Sequence, residues 1–297
     1  MTAQEGAAGA RIVDRGYQHY GGERRGIASA LRSITVGTMK RSLGFKRPGS
    51  AKVFPFLLVA ASFLPFIIVT GLRLLIGDNI SRRVPADQIW PYQRYFTWLG
   101  LAVLLLAALA ASEALCPDRR QRVLSLYYAS PVPPLLYLLG QALAVTIVLT
   151  LVALLPPFLL WAANVGLAQN PGVYLQAHWD EGPRILAGGV LLALLNSALG
   201  LAVAAFTERK GYAAGALIGG VVVASVVAGI ANNAIKAGGA KYAVLIDPLL
   251  VGPNTARWIL GVHLDTRVQG PIWLGMEVAM IAVCAVLVVR VYRSLAF

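Results

Sequence analysis

Six stretches of this chain stay apolar over about 20 residues, the length a helix needs to cross a bilayer: 53–76, 93–115, 135–157, 185–206, 213–235 and 272–291. The polar positions between them carry as much information. Residues 1–52 are polar and basic. Within them Ile27, Leu31 and Ile34 fall at i, i+4 and i+7, which predicts a basic helix over 27–43 lying on the membrane surface, with Val36 and Leu43 off its stripe. Nothing before residue 53 has the apolar core of a cleaved signal, so the first run is expected to be a retained signal-anchor. Pro156 and Pro157 each remove a backbone donor and are expected to end or kink the third helix, with its tail FLLWAANVGL projecting outward. Residues 232–270 are too long for a tight turn, and Pro248, Gly252 and Pro253 break any full span there, which predicts two short amphipathic pieces.

Composition sets the solvent for these runs. With 58% hydrophobic and only 13% charged residues, the chain reads as an all-α membrane protein: a cytoplasmic segment over 1–52, then a six-helix transmembrane domain over 53–297. Six spans put both termini on one side. That side collects the larger share of Lys and Arg, including Arg24, Arg25, Lys40, Arg41, Arg119, Arg120, Arg122, Arg209 and Arg290, which predicts cytoplasmic termini. The net charge of +13 follows from such topology, and without aromatic-interleaved basic readers no nucleic-acid partner is expected. Cys116 and Cys284 fall at cytoplasmic or buried positions and imply no disulfide framework.

One loop departs from mere topology. Residues 116–131, CPDRRQRVLSLYYASP, form a charged segment fenced by Pro117 and Pro131. Asp118 is placed to cap a helix N-terminus with Gln121 at the third helical position, and the helix would run to Tyr128 or Ala129 before Pro131, Pro133 and Pro134 stop it. Arg119, Arg120 and Arg122 would crowd its first turn, where the helix dipole opposes cations by about 0.3–1 kcal/mol each, so helix stability is not their purpose. Two readings remain open on the residues themselves. One is a basic anchor beside anionic lipid; the other is a protein-docking surface, since Val123, Leu124, Leu126, Tyr127 and Tyr128 add apolar and aromatic area to the arginines.

These residues resemble those of the type 2 ABC-transporter permeases, six-helix half-transporters that include O-antigen exporters and relatives of the eukaryotic G-class exporters. Pro117-Asp118-Arg119-Arg120, Leu126-Tyr127 and Ser130-Pro131 match the family's first cytoplasmic loop, and Gly16-Tyr17 and Tyr20-Gly21 within RIVDRGYQHYGGERRG (11–26) are similar to the N-terminus of actinobacterial members. The very short turn Thr207-Glu208-Arg209-Lys210 is similar as well. The resemblance implies that 116–134 is a coupling loop docking on a separate ATPase through Asp118, Arg119, Arg120, Arg122, Leu126, Tyr127 and Tyr128. It implies further that 27–43 is a connector helix and that 232–270 holds external re-entrant helices. On the same footing Phe96, Leu99 and Val103 of the second span and Ile218, Val222 and Val226 of the fifth would face a hydrophobic cargo. Glu113 would pair with an arginine of the loop or of a neighbouring segment and carry motion between ATPase and helix.

Gly211, Gly215 and Gly219, spaced by four, allow close helix approach, either within the chain or with a second permease in a homo- or heterodimer. Glu277 stands one and a half turns into the last span, shallow enough to escape much of the burial cost. Asn196 and Ser197 are expected to bond other helices, and His178-Trp179-Asp180-Glu181 to form a solvated external cluster. No G-x-x-x-x-G-K-[ST] loop occurs, and His19, His178 and His263 lack metal-ligand spacing. The expectation is therefore a non-catalytic permease subunit of an ATP-driven exporter in the plasma membrane. It would carry no cofactor of its own, with ATP and Mg in the partner ATPase and membrane lipid around it. Alternatives are an ion-coupled secondary transporter or an intramembrane lipid-modifying enzyme.

Overall fold

In lipid every backbone polar group must be satisfied within the segment, so apolar runs of this length fold as helices. The computed structural model describes residues 26–45, 50–76, 92–122, 133–168, 170–234, 240–262 and 268–295. In chain order these form α1 (Ile27–Ser42), α2 (Ser50–Ile76), α3 (Tyr92–Arg120), α4 (Pro134–Gly166), α5 (Pro171–Ala177), α6 (Glu181–Ala205), α7 (Lys210–Ala234), a 3-10 helix (Ala240–Ile246), α8 (Pro248–Ile259) and α9 (Gly270–Leu295). Six of them, α2, α3, α4, α6, α7 and α9, are long and apolar enough to span a membrane.

The spans alternate in direction, and α3 and α6 form the middle of the bundle. Burial takes in 83% of α3's most apolar stretch and 61% of α6's, against 22% for α7 and 17% for α9, which leaves the last two open along most of their length. Lipid tails are as apolar as leucine, so helices meet here through close fit rather than through the hydrophobic effect. Gly200 of α6 shows this: a Cβ there would stand 2.9 Å from the Ala111 Cβ and 3.1 Å from the Ala107 carbonyl of α3.

The prolines do not break their helices. Pro65 lies inside α2, and the Ala61 carbonyl four residues earlier, which its missing N–H leaves without a helical partner, accepts from the Trp98 indole of α3 at 3.0 Å. Pro156 and Pro157 lie inside α4, a helix of 33 residues, about 50 Å long. The expected end of the third span at these prolines is therefore corrected. Its tail does not project away, since Leu160 and Asn164 are buried and Asn164 Oδ1 accepts from Arg73 of α2 at 2.9 Å. The Ala153 carbonyl released by Pro157 faces Gly189 of α6, where a Cβ would stand 3.4 Å away. At Pro65 a neighbouring helix restores what proline removes.

Helix α8 is a short element that enters the bundle, at the end away from the termini. Six consecutive residues, Val251 to Ala256, are buried on it, so over this stretch it is packed on every side. Its Pro253 rests on Gly100 of α3 and its Ala256 on Gly188 of α6, with Cβ clearances of 2.9 and 3.1 Å. Asp247 caps it, accepting from the Leu249 N–H at 2.9 Å and from the Ser225 hydroxyl of α7 at 2.5 Å.

Gly200→Leu should force α3 and α6 apart and lower the unfolding free energy by about 1–3 kcal/mol. Gly71→Leu, on α2 where a Cβ meets nothing within 4 Å, should not. Thermal melts of the two purified variants in one detergent measure the difference.

Candidate functional site

At the end of the bundle nearest the termini, α1 crosses α3 and α4 with an unusual face inward. Its buried positions are Thr35, Thr38 and Ser42, the polar side of the helix. The Thr38 hydroxyl donates to Gln141 Oε1 of α4 at 2.8 Å, the Ser42 hydroxyl to the Ala110 carbonyl of α3 at 3.4 Å, and the Thr35 hydroxyl to the Gly140 carbonyl at 3.4 Å. Gly140 is what admits the helix, since a Cβ there would stand 2.7 Å from Ile34. Of the apolar stripe expected to lie on the membrane, Leu31 and Ile34 pack on Gly140, whereas Ile27 is exposed. The amphipathic reading of α1 was thus inverted in part, because its polar positions find partners inside the chain.

The centre of this region is Asp118, buried in the last turn of α3. Its carboxylate takes Arg41 Nη1 at 2.7 Å on Oδ1 and Arg41 Nη2 at 3.4 Å on Oδ2, the Tyr137 hydroxyl at 2.7 Å, and Gln141 Nε2 at 3.3 Å. Arg41 also donates to the Thr38 hydroxyl at 3.1 Å, which closes a ring of polar side chains from α1, α3 and α4. The Tyr292 ring of α9 lies 6.3 Å from that of Tyr137. A carboxylate so buried is held by charge-assisted bonds on both oxygens, the condition under which burial of an ion is tolerated. Asp118 therefore does not cap a new helix with Gln121, as the sequence suggested. Pro117 continues α3 through Arg120, and Asp118 looks back into the bundle.

The neighbouring charges are used in the same way. Arg119 donates to the Ala205 carbonyl at the C-terminus of α6, where a cation meets unsatisfied carbonyls and the negative end of the dipole. Glu113 pairs with Lys210 Nζ of α7 at 2.7 Å, so its cation is a lysine of a neighbouring span rather than an arginine. Arg120 and Arg122 remain exposed. Arg122 adopts a left-handed φ of 53°, the conformation in which helices commonly end. Leu126, Tyr127 and Tyr128 lie outside the described residues. The described part of 116–134 is thus bonded to α1, α4 and α6 and begins within α3, while Glu113, one turn before it on α3, adds the tie to α7.

The other predicted residues are scattered. Phe96, Leu99 and Val103 are fully buried in the main core, while Val222 and Val226 are exposed and Ile218 packs on a separate cluster with Leu217 and Val221. The two sets share no surface in this conformation. Gly211, Gly215 and Gly219 meet nothing within 4 Å. Ser197 does bond another helix, sharing a 2.9 Å contact with the Thr146 hydroxyl, but Asn196 donates to Leu192 of its own helix. The carboxylates of Asp180 and Glu181 pair with Arg184 at 2.8 Å and His178 at 2.9 Å. Glu277 is fully buried within the protein, against Gly252 of α8 and beside the Thr255 hydroxyl, which donates to the Val251 carbonyl at 2.9 Å.

Sequence reasoning missed Arg41, Thr38, Tyr137, Gln141 and Lys210. Their signal was present in part: Tyr137 and Gln141 stand four apart inside an otherwise apolar run, and Thr38 and Ser42 four apart on α1. No family model matches the chain, and no curated protein matches its sequence.

A double-mutant cycle on Arg41→Met and Asp118→Asn should give a coupling energy of about 0.5–3 kcal/mol, read from equilibrium unfolding in mixed micelles. A value near zero would mean that the ring stabilises nothing.

Proposed function

We propose that this chain is the membrane-spanning subunit of an ATP-driven exporter of the ABC type, moving a hydrophobic or amphipathic substrate and driven by a separate ATPase subunit. The observation that carries the reading is the Asp118 ring. Residues 123–132 connect Arg122, just past the end of α3, to Pro133, just before the start of α4. Both ends are anchored, one through Asp118 and Arg119, the other through Tyr137 and Gln141 in the first turns of α4. A partner gripping that segment from the termini side would therefore pull on α1, α3, α4, α6 and α7 together. That is the mechanical requirement for turning a displacement at one end into a switch between two arrangements of the spans. Exposed Arg120 and Arg122 stand where a docking surface would begin.

The working unit on this reading is a dimer of permeases with two ATPases, in the plasma membrane with both termini cytoplasmic. The open faces of α7 and α9, including Gly211, Gly215 and Gly219, support association with a second permease, because bare glycine backbone on a span suits close approach of another helix. Helix α8 would on this reading be the re-entrant element and α1 the connector.

A tagged chain should co-purify with an ATPase, and Arg119→Ala, Arg120→Ala and Tyr127→Ala should each depress the substrate-stimulated part of its hydrolysis. A chain that captures no ATPase, with hydrolysis in membranes untouched by all three changes, would end the reading.

A second reading draws on a different observation. Glu277 is a fully buried carboxyl with no hydrogen-bond partner among the described residues, and ionisable groups at membrane depth mark ion or proton pathways. An ion-coupled transporter would keep its uptake or efflux in ATP-depleted vesicles, lose it when the proton gradient is collapsed, and lose it again in Glu277→Gln. The exporter reading expects transport to stop with ATP depletion and to survive loss of the gradient.

A further inference from the structure

A groove of about 400 Å³ lies between the last two turns of α6, the start of α7 and the middle of α9. Leu199, Ala202, Val203, Phe206 and Thr207 line one side, Tyr212 and Ala216 the second, and Cys284 and Leu287 the third. Its volume lies in the range that holds small organic ligands, and its wall is apolar. From Leu199 to Thr207 it extends about 12 Å along the span, so it is a slot running down from the membrane surface rather than a pit across it. Small residues make the floor, with Ala202 and Cys284 buried beneath the opening. The slot faces outward from the bundle, where α7 and α9 are least covered.

Its upper end is built differently. Phe206 and Tyr212, 63% and 64% exposed, flank the mouth at the level where aromatic residues meet lipid headgroups. Arg209 lays its guanidinium over the Tyr212 ring at 5.5 Å, and among the described residues it has no carboxylate partner. Arg290 is exposed one turn beyond Leu287 on α9, towards the same membrane surface. The acidic groups near this mouth are Glu208, which is exposed, and Glu113, which is spent on Lys210. Arg119 is likewise spent on the Ala205 carbonyl. Arg209 thus stands beside the mouth of the slot through Tyr212, and Arg290 follows its lining residue Leu287 by one turn of α9.

We propose that this groove is a binding site for one anionic glycerophospholipid of the leaflet on the side of the chain termini, with an acyl chain in the slot and its phosphate between Arg209 and Arg290. The chemistry is complementary at both ends. Guanidinium groups bind phosphate by paired N–H donors, Tyr212 holds the Arg209 plane in place, and an acyl chain fills a wall that offers it no polar group. Sterols and fatty acids lack the phosphate, and a zwitterionic phospholipid presents its own cation to the arginines. The site does not depend on the transport reading.

Native mass spectrometry of the full-length chain tests this, with dioleoyl-phosphatidylglycerol and dioleoyl-phosphatidylcholine offered in equal amounts in a mild detergent. One phosphatidylglycerol should stay bound per chain in preference to phosphatidylcholine. Arg209→Gln should weaken that preference about fivefold, and the Arg209→Gln/Arg290→Gln pair should abolish it. Both positions are exposed, so folding does not confound the result, and a thermal melt checks it. Cys284→Trp, which fills the floor of the slot, should reduce retention of both lipids. Equal retention of the two lipids by the unaltered chain would overturn the proposal. So would a preference indifferent to both arginines. Recovery as a lipid-free dimer that Cys284→Trp dissociates would instead assign the groove to a second copy of the chain.

Discussion

Helices that share an apolar solvent gain nothing from hiding leucine from it, and this constraint shapes the whole molecule. What remains is contact close enough for dispersion to accumulate, and polar groups with no solvent partner except one another. Both devices are concentrated in α3 and α6. Gly188, Gly189 and Gly200 let α6 approach α8, α4 and α3 respectively, with Cβ clearances of 3.4 Å or less in each case. Where the backbone cannot satisfy itself, as at Ala61 below Pro65, a side chain of the next helix supplies the donor.

The same constraint explains why α1 turns its hydroxyl face inward. On a soluble protein a helix with Thr35, Thr38, Arg41 and Ser42 along one side would turn that side to water. Here the neighbouring helices present an isolated carboxylate, an amide and open carbonyls, each of which costs free energy until bonded. Among the described residues, polar groups of α1 join Tyr137 and Gln141 in completing the set, so the polar face carries the contact. A buried charge seldom makes a protein more stable than an apolar substitute would, but it fixes one arrangement by making the others costly. Asp118 therefore acts as a register pin for α1, α3 and α4.

The spans themselves were legible because sustained hydropathy over such lengths has one structural solution in lipid. What escaped the sequence reading was governed by partners distant along the chain. Pro117 and Pro157 look like stops by local rules, yet both lie inside helices that run on past them. Asp118 followed three residues later by Gln121 is a sound capping signal, and it was overruled by Arg41, 77 positions away. Glu277 was judged by its distance from the helix end, which says nothing of its burial within the protein by α8 entering alongside it. Leu126, Tyr127 and Tyr128, expected from the resemblance to meet an ATPase, fall outside the described residues. The groove beside Cys284 leaves no sequence trace, because small and apolar residues look alike whether they pack, face lipid or line a slot.

The two ends of the bundle differ in how their carboxylates are held. Away from the termini, α8 fills the space between α3, α6 and α9; Asp247 ties its start to α7 and Arg73 ties α2 to α4, but Thr255, beside Glu277, donates within its own helix. Near the termini, carboxylates are compensated and the bonds run between helices, tying α3 to α1, α4, α6 and α7. Motion therefore costs unequal amounts at the two ends. Sliding α8 against α9 breaks apolar contact and no hydrogen bond to Glu277, whereas moving α3 against α1 or α4 breaks a closed ring. A rigid end near the termini and a yielding end opposite is the distribution required if force is applied at one and an opening is made at the other.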